Sequence, residues 1–115
     1  VGYFLNVHEG PHGISKNNKV KLKEGMIISN EPGYYENGNF GIRIENLISV
    51  KKNKNQLKFE NLTTVPIDKN LIEENLLNKN EINWLNTYHS NVFKKLKKYM
   101  NKLEFLELKK YCSNI

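Results

Sequence analysis

The sequence predicts an α+β chain in which antiparallel strands come first and a helical tail follows. Up to residue 68, short apolar runs alternate with Gly, Pro and Asn-Gly turn signals, as in strands joined by tight turns. Residues 69–115 contain neither glycine nor proline, and their apolar side chains recur every three or four positions, as on one helix face. We therefore divide the chain into a β-rich part, residues 1–68, and a helical tail, residues 69–115.

The β-rich part contains four strand-like runs. We predict strands at residues 2–8, 26–31, 40–50 and 56–62. Residues 9–13 (EGPHG) predict a loop, because Gly and Pro break regular structure, and residues 51–55 (KKNKN) predict an exposed turn. Asn37-Gly38 lies between two of the runs and is a strong hairpin signal.

The tail predicts a long amphipathic helix and a second helix at residues 103–111, with Asn80 as the N-cap of the first. The apolar stripe of the long helix consists of Ile82, Leu85, Tyr88, Val92, Leu96, Tyr99 and Leu103, widened by Trp84 and Phe93. Such a stripe packs in a core or against another subunit.

The composition is that of a soluble globular domain. Among 115 residues, 38% are hydrophobic and 26% are charged, and no run approaches the ~18–20 apolar residues of a membrane span. The net charge is +6, but Arg43 is the sole arginine and asparagines separate many of the lysines. We therefore expect solvated loops, with no nucleic-acid and no membrane partner. The single cysteine, Cys112, fits a reducing compartment.

Glu31 and Glu45 are the candidate functional side chains that the strand pattern brings together. If Gly38 is the middle of the hairpin turn, the numbers of opposed residues sum to about 76, and Glu31 lies opposite Glu45. A two-residue Asn37-Gly38 loop would shift this register by one, and a bulge could restore it. Opposed carboxylates repel each other. A divalent cation or a shared proton would relieve the repulsion, and so would Arg43 on the same face. An Arg/Glu cluster on a solvated sheet face therefore remains an alternative to a metal site.

The histidines point to chemistry less strongly than the glutamates do. His8 and His12 flank a Gly/Pro loop that could approach a site, and His89 lies in the helical stripe, where a structural role is expected. No metal-binding Cys or His motif, phosphate-binding glycine loop or Gly-x-Ser-x-Gly elbow occurs, so nothing favours a serine or cysteine nucleophile.

Three motifs together closely resemble the aminopeptidase P family, the Xaa-Pro aminopeptidases among the creatinase-like "pita-bread" metallopeptidases. They are residues 1–11 (VGYFLNVHEGP), 29–35 (SNEPGYY) and 40–46 (FGIRIEN). Residues 84–89 (WLNTYH) are similar to the C-terminal helical tail of the cytosolic, long-form members. The resemblance implies the C-terminal part of a pita-bread fold and a cytoplasmic enzyme that removes the N-terminal residue from peptides with proline in second position.

The resemblance also implies a site with two divalent metals, usually Mn²⁺, with Zn²⁺ or Co²⁺ as alternatives. Glu31 and Glu45 match the two glutamate ligands of the family, and Glu45 is expected to bridge the metals. His8 matches a catalytic histidine beside the metals, and Tyr35 and Arg43 match residues that surround the ligands. His12 has no counterpart to carry over.

Three further metal ligands of the family, two aspartates and a histidine, would precede Val1. The chain does not begin with Met and shows no signal peptide, so we expect a trimmed chain or an excerpt. We expect it to be inactive alone and to need the rest of its catalytic domain. By analogy with long-form relatives, we expect a homodimer.

Two alternatives stay open. One is a non-enzymatic creatinase-like binding module. Such modules typically lose metal ligands, whereas both glutamate matches, Glu31 and Glu45, and the catalytic-histidine match, His8, are present here. The other is a related prolidase or methionine aminopeptidase, whose motifs resemble these residues less closely.

Overall fold

The computed structural model describes residues 8–115, and the strand predicted at residues 2–8 lies outside them except for His8. The chain forms two compact units, Val1–Thr63 and Thr64–Ile115. Strands occupy the first and helices the second, which confirms the predicted order of antiparallel strands and helical tail. Over the described residues, no helix is both long and apolar enough to cross a membrane.

The described residues of the first unit form five antiparallel strands. They are β1 (Ile27–Asn30), β2 (Gly33–Tyr35), β3 (Gly41–Arg43), β4 (Asn46–Asn53) and β5 (Gln56–Asn61). β1, β4 and β5 form a three-stranded sheet in that order, and β2 and β3 form a two-stranded ribbon. One sheet face carries the core of this unit, which consists of Ile28, Ile48 and Val50 with Leu22 and Met26 packed against them.

The hairpin forms at the predicted turn. The Asn39 amide donates to the Glu36 carbonyl at 3.1 Å, and Gly38 has φ 71° as the third residue of this turn, where a type II turn requires positive φ. Opposed residue numbers sum to 76 along the whole hairpin, from Tyr34 opposite Ile42 in the ribbon to Ile28 opposite Ile48 in the sheet. The predicted register is therefore confirmed.

The continuous strand predicted at residues 40–50 is wrong, because β3 and β4 are separate strands. The physical reason is Pro32, which lies opposite Ile44 on the other arm. The Ile44 amide donates to the Pro32 carbonyl at 3.2 Å, but proline has no N–H to return the bond. The hydrogen-bond ladder therefore breaks there, while the register continues unchanged.

The turn predicted at residues 51–55 is shorter than expected. β4 continues to Asn53, β5 begins at Gln56, and Asn53 lies opposite Gln56. Lys54 has φ 55°, a left-handed conformation that is uncommon outside glycine and suits a two-residue turn. Residues 51–60 are all exposed, so charged side chains on both faces of the paired strands remain in solvent.

The second unit contains two helices, α1 (Lys79–Leu96) and α2 (Lys102–Tyr111), and three 3₁₀ helices. The 3₁₀ helices are Lys69–Leu71, Glu74–Leu76 and Lys97–Tyr99. The predicted N-cap Asn80 is wrong. Asn78 is the cap: its side chain accepts from the Asn80 and Glu81 amides, and the Glu81 side chain accepts from the Asn78 amide. This reciprocal pair is a capping box.

The apolar stripe ends earlier than predicted. Leu85, Tyr88 and Val92 are buried, whereas Tyr99 and Leu103 are 70% and 75% exposed. α1 ends at Leu96, and a second capping box, formed by Asn101 and Glu104, begins α2. The second predicted helix is thus confirmed. The core of this unit consists of Tyr88, Val92, Leu108 and Cys112, with Ile67, Phe93, Leu96 and Met100 packed against it.

Tyr88 and His89 of α1 bind the backbone of residues 65–67. The Tyr88 hydroxyl donates to the Val65 carbonyl at 2.7 Å, and the Ile67 amide donates to His89 Nε2 at 3.1 Å. His89 is fully buried. These contacts satisfy backbone groups that have no strand partner and agree with the structural role predicted for this histidine.

Candidate metal centre

Glu31 and Glu45 lie opposite each other where the sheet passes into the ribbon. The backbone bonds near this point join Met26 to Val50, Pro32 to Ile44 and Glu36 to Phe40. All of these residues are even-numbered, so the odd-numbered pairs, including Glu31 and Glu45, are non-hydrogen-bonded pairs. Side chains of such pairs are the closer ones in an antiparallel ladder. The register therefore sets the two carboxylates side by side.

Both glutamates belong to one face of the ribbon, which we call the site face. It carries Glu31, Gly33, Tyr35, Gly41, Arg43 and Glu45. Arg43 Nη1 lies 3.6 Å from Glu31 Oε2, and Arg43 Nη2 lies 3.4 Å from Glu45 Oε2. These distances are those of ion pairs and are longer than strong hydrogen bonds. One guanidinium thus faces two carboxylates, and their summed charge is negative.

Ser29 orients the Glu31 carboxylate. Its hydroxyl donates to Glu31 Oε1 at 2.8 Å, within a partly buried environment. The two oxygens of Glu31 therefore have different neighbours, a hydroxyl on one side and a guanidinium on the other. The sequence interpretation missed Ser29, although a serine two residues before a glutamate on the same strand shares its face.

Tyr35 lies flat across the site face. A Cβ on Gly41 would come within 2.6 Å of the Tyr35 ring, and a Cβ on Gly33 would come within 2.8 Å of it. Both contacts are far too close for a side chain, so the two glycines make room for the ring. The roles of Gly33 and Gly41 were also missed, because their positions relative to Tyr35 follow only from the register.

A cavity of about 480 Å³ lies beside Glu31. It is formed by residues 8–15 together with Asn18 and residues 28–32, so His8, His12 and Glu31 all line it. Glu45, Arg43 and Tyr35 are not among its lining residues. The structure therefore brings Glu31, Glu45 and Arg43 into contact, and places His8 in the cavity that Glu31 borders.

The donor set fits part of a metal centre. Two carboxylates meet at one point, and carboxylate oxygens are the ligands that Mn²⁺ and similar cations prefer. Within residues 8–115, no three His, Cys, Asp or Glu side chains come together as a group that could hold a metal ion. The described residues thus offer two carboxylates to such a centre, and a complete centre would require further donors.

Comparison with known proteins assigns the class. The model of metallopeptidase family M24 matches residues 1–52, and the model of the C-terminal region of peptidase M24 matches residues 55–115. The chain belongs to metallopeptidase family M24.

Within that family, the similarity is to Xaa-Pro aminopeptidases of the pita-bread fold. The chain is 50% identical to a "Probable Xaa-Pro aminopeptidase P" of Laccaria bicolor and 48% identical to "Xaa-Pro aminopeptidase 1" of Dictyostelium discoideum. The matches cover 84% of this chain but 17% of each relative.

A solved structure extends the comparison to the fold. It is that of the X-prolyl aminopeptidase from Caenorhabditis elegans, described as a cytosolic enzyme with a di-nuclear active site. The TM-score is 0.84 at 38% identity, over 100% of this chain and 20% of that one. The chain thus has the fold of the C-terminal part of that enzyme and spans about a fifth of its length.

Proposed function

We propose that this chain is the C-terminal part of an Xaa-Pro aminopeptidase, with Glu31 and Glu45 as two ligands of its two-metal centre. The observation that carries the proposal is the opposition of these glutamates on the site face, in a chain of a metallopeptidase family. Facing carboxylates destabilise an antiparallel pair. Arg43 provides one positive charge against two negative ones, and divalent cations would provide the rest.

The two glutamates have different proposed roles. Glu45 would hold both metals, and Glu31 would bind with a carboxylate that Ser29 and Arg43 contact. Oxygen ligands favour Mn²⁺, with Zn²⁺ and Co²⁺ as alternatives. The chemistry that such a metal pair supplies when bound is polarisation of the scissile carbonyl and a water of lowered pKa.

His8 is the proposed catalytic residue of this chain. It is exposed and lines the cavity that Glu31 borders, so a peptide in this cavity would meet both side chains. Imidazole both donates and accepts protons near neutral pH, which suits a residue that moves protons between substrate and solvent. Arg43 and Tyr35 complete the site face, where the guanidinium forms ion pairs with both carboxylates.

The substrates proposed for the whole enzyme are peptides with proline in second position, because the relatives bear the name Xaa-Pro aminopeptidase. A cytoplasmic location is proposed from the C. elegans enzyme, which is described as cytosolic. We also propose a homodimer. The exposed apolar side chains of the tail, including Trp84, Tyr99 and Leu103, are suited to an interface.

The rest of the catalytic domain is the remaining proposed partner. The relatives are about five to six times as long as the part that this chain matches, and the described residues would supply two ligands. The ribbon face opposite the site face carries Tyr34, Phe40, Ile42 and Ile44, all of them exposed. Further polypeptide would cover these side chains and supply the other ligands, so the 115-residue chain alone is proposed to be inactive.

A comparison of the 115-residue chain with the longer polypeptide that contains it tests the function. Each would be incubated with Mn²⁺ and an Xaa-Pro-Ala peptide, with Xaa-Ala-Ala as the matched control substrate. We expect the longer polypeptide to release the first residue from the proline peptide only, and to stop when a chelator is added. Equal cleavage of both peptides, or robust turnover by the 115-residue chain, would contradict the proposal.

A further inference from the structure

β1 has a free edge among the described residues. It pairs with β4 on one side, and the Val50 amide bonds the Met26 carbonyl on that side. Backbone carbonyls alternate in direction along a strand. The carbonyl of Ile27, one residue further on, therefore points away from β4 and has no strand partner in the described sheet.

His12 occupies that position. Its Nε2 lies 3.2 Å from the Ile27 carbonyl oxygen. A carbonyl can only accept, so Nε2 carries the proton. His12 thus attaches the loop at residues 8–15 to the free edge of the strand that leads to Glu31. The loop is also closed on itself, because Asn18 Nδ2 donates to the Pro11 carbonyl at 3.2 Å.

The hydrogen bond between His12 and the Ile27 carbonyl limits how far His8 can lie from Glu31. Four residues separate Ile27 from Glu31, which amounts to about 13 Å along an extended strand. Four residues also separate His12 from His8, and they reach about the same distance at most. With His12 fixed at Ile27, the loop can bring His8 level with Glu31, and both residues line the cavity.

We propose that His12 is a positioning residue of the aminopeptidase site: its hydrogen bond to Ile27 holds the loop that carries His8 beside Glu31. This inference rests on the proposed function. His12 itself binds no metal and takes no part in the bond-breaking step. Its contribution is geometric, because a loop displaced by about 1 Å can lower a rate substantially.

The test compares three variants of the longer, metal-loaded polypeptide. His12→Ala removes the donor, His12→Gln keeps an N–H donor of similar reach, and Lys16→Ala changes an exposed loop residue that does not line the cavity. We expect kcat/KM for an Xaa-Pro peptide to fall about tenfold in His12→Ala, as the loss of a hydrogen bond allows. His12→Gln should stay within about threefold of the native value. Lys16→Ala should match the native enzyme, and metal content should be equal in all four.

A second readout does not depend on activity. In ¹⁵N-histidine spectra of the longer polypeptide, the neutral form of His12 should carry its proton on Nε2. A proton on Nδ1 would overturn the inference, and so would equal kcat/KM in His12→Ala and native enzyme, or a His12→Gln variant as weak as His12→Ala. If the native polypeptide cleaves no Xaa-Pro peptide, the proposed function fails instead. The spectra still decide whether His12 donates to the Ile27 carbonyl.

Discussion

Arg43 is the residue on which the charge balance of the site face depends. It contacts both glutamates, but its side chain is 50% exposed, and exposed ion pairs contribute little to stability. Its contacts are therefore better explained as orientation of two carboxylates than as a structural clamp. A solvated Arg/Glu cluster would show the same three side chains, and only the family match separates the two readings.

The sequence predicted the opposed glutamates but not their surroundings. The opposition follows from the turn glycine and the two-residue period of strands, both of which are visible in the sequence. The hydroxyl bond from Ser29, the Tyr35 ring over two glycines and the His12 tie depend on rotamers and on a loop path. Those features are decided by packing, which periodicity does not describe.

Stability of the second unit should depend on pH through His89. Burial lowers the pKa of His89 below its ordinary value of 6.5, and the nearby positive charge of Lys69 lowers it further. At pH values well above 6.5, the ring is neutral in both the folded and the unfolded chain, and His89 does not reduce the free energy of unfolding. As the pH falls below 6.5, the unfolded chain binds a proton on His89 more readily than the folded chain does, so the free energy of unfolding decreases.

Unfolding at pH 7.5 and pH 5.5, followed by the fluorescence of the sole tryptophan, Trp84, measures this effect. We expect the native chain to lose more stability between these pH values than His89→Gln, which cannot titrate at this position. The same loss in both proteins would show that His89 does not cause the pH dependence.

At the scale of elements, the capping boxes determine where the two helices begin, and the apolar stripe does not. The stripe continues at helical spacing past Leu96 to Leu103, so periodicity alone extends the first helix to Leu103. The pattern Asn-x-x-Glu occurs at Asn78 and again at Asn101, and each copy begins a helix with a capping box. The second copy starts a new helix and ends any continuation of the first. The sequence contained this signal, and the interpretation overlooked it.

The two caps give a direct test at this scale. Asn78→Ala should lower the free energy of unfolding by about 1 kcal/mol, because it leaves the Asn80 and Glu81 amides without their acceptor. Asn80→Ala, two residues further on, is the matched control. It should be neutral or slightly stabilising, because alanine is the better helix former. Thermal unfolding monitored by circular dichroism would measure both, and a larger loss in Asn80→Ala would contradict the assigned cap.

Among the strands, one proline explains the main error. Alternation from residue 40 to residue 50 is continuous, so the sequence of that arm contains no sign of a break. The cause lies on the opposite arm, where Pro32 cannot donate to Ile44. The unbroken register on both sides shows that the error concerned hydrogen bonds and left the facing of side chains unchanged. For this reason the glutamate pair was predicted correctly from an incorrect strand.

At the scale of the whole molecule, the chain is a recognisable part of a larger catalytic architecture. It spans about a fifth of its relatives and carries two carboxylates at the candidate centre. Its ribbon exposes an apolar face behind the site face, with Tyr34 62% and Phe40 47% exposed. Patches of this kind are usually covered in stable proteins. The two carboxylates and the uncovered surface therefore support the proposal that function requires further polypeptide.

Metal content is the measurement that tests the central claim most directly. The longer polypeptide would be prepared in native form, as Glu45→Ala and as Glu36→Ala, loaded with Mn²⁺, desalted and analysed by mass spectrometry for bound metal. Glu36 is the matched control, because it lies on the same hairpin and its side chain contacts Asn39 at the turn.

We expect about two metal ions per chain in the native protein and in Glu36→Ala, as a two-metal site requires. Glu45→Ala should hold fewer than about one, because the loss of the proposed bridging ligand would weaken both positions, and hydrolysis of Xaa-Pro peptides should be lost with the metal. Full occupancy in a folded Glu45→Ala protein would contradict the assignment of Glu45, and with it the account of the opposed glutamates as a metal centre.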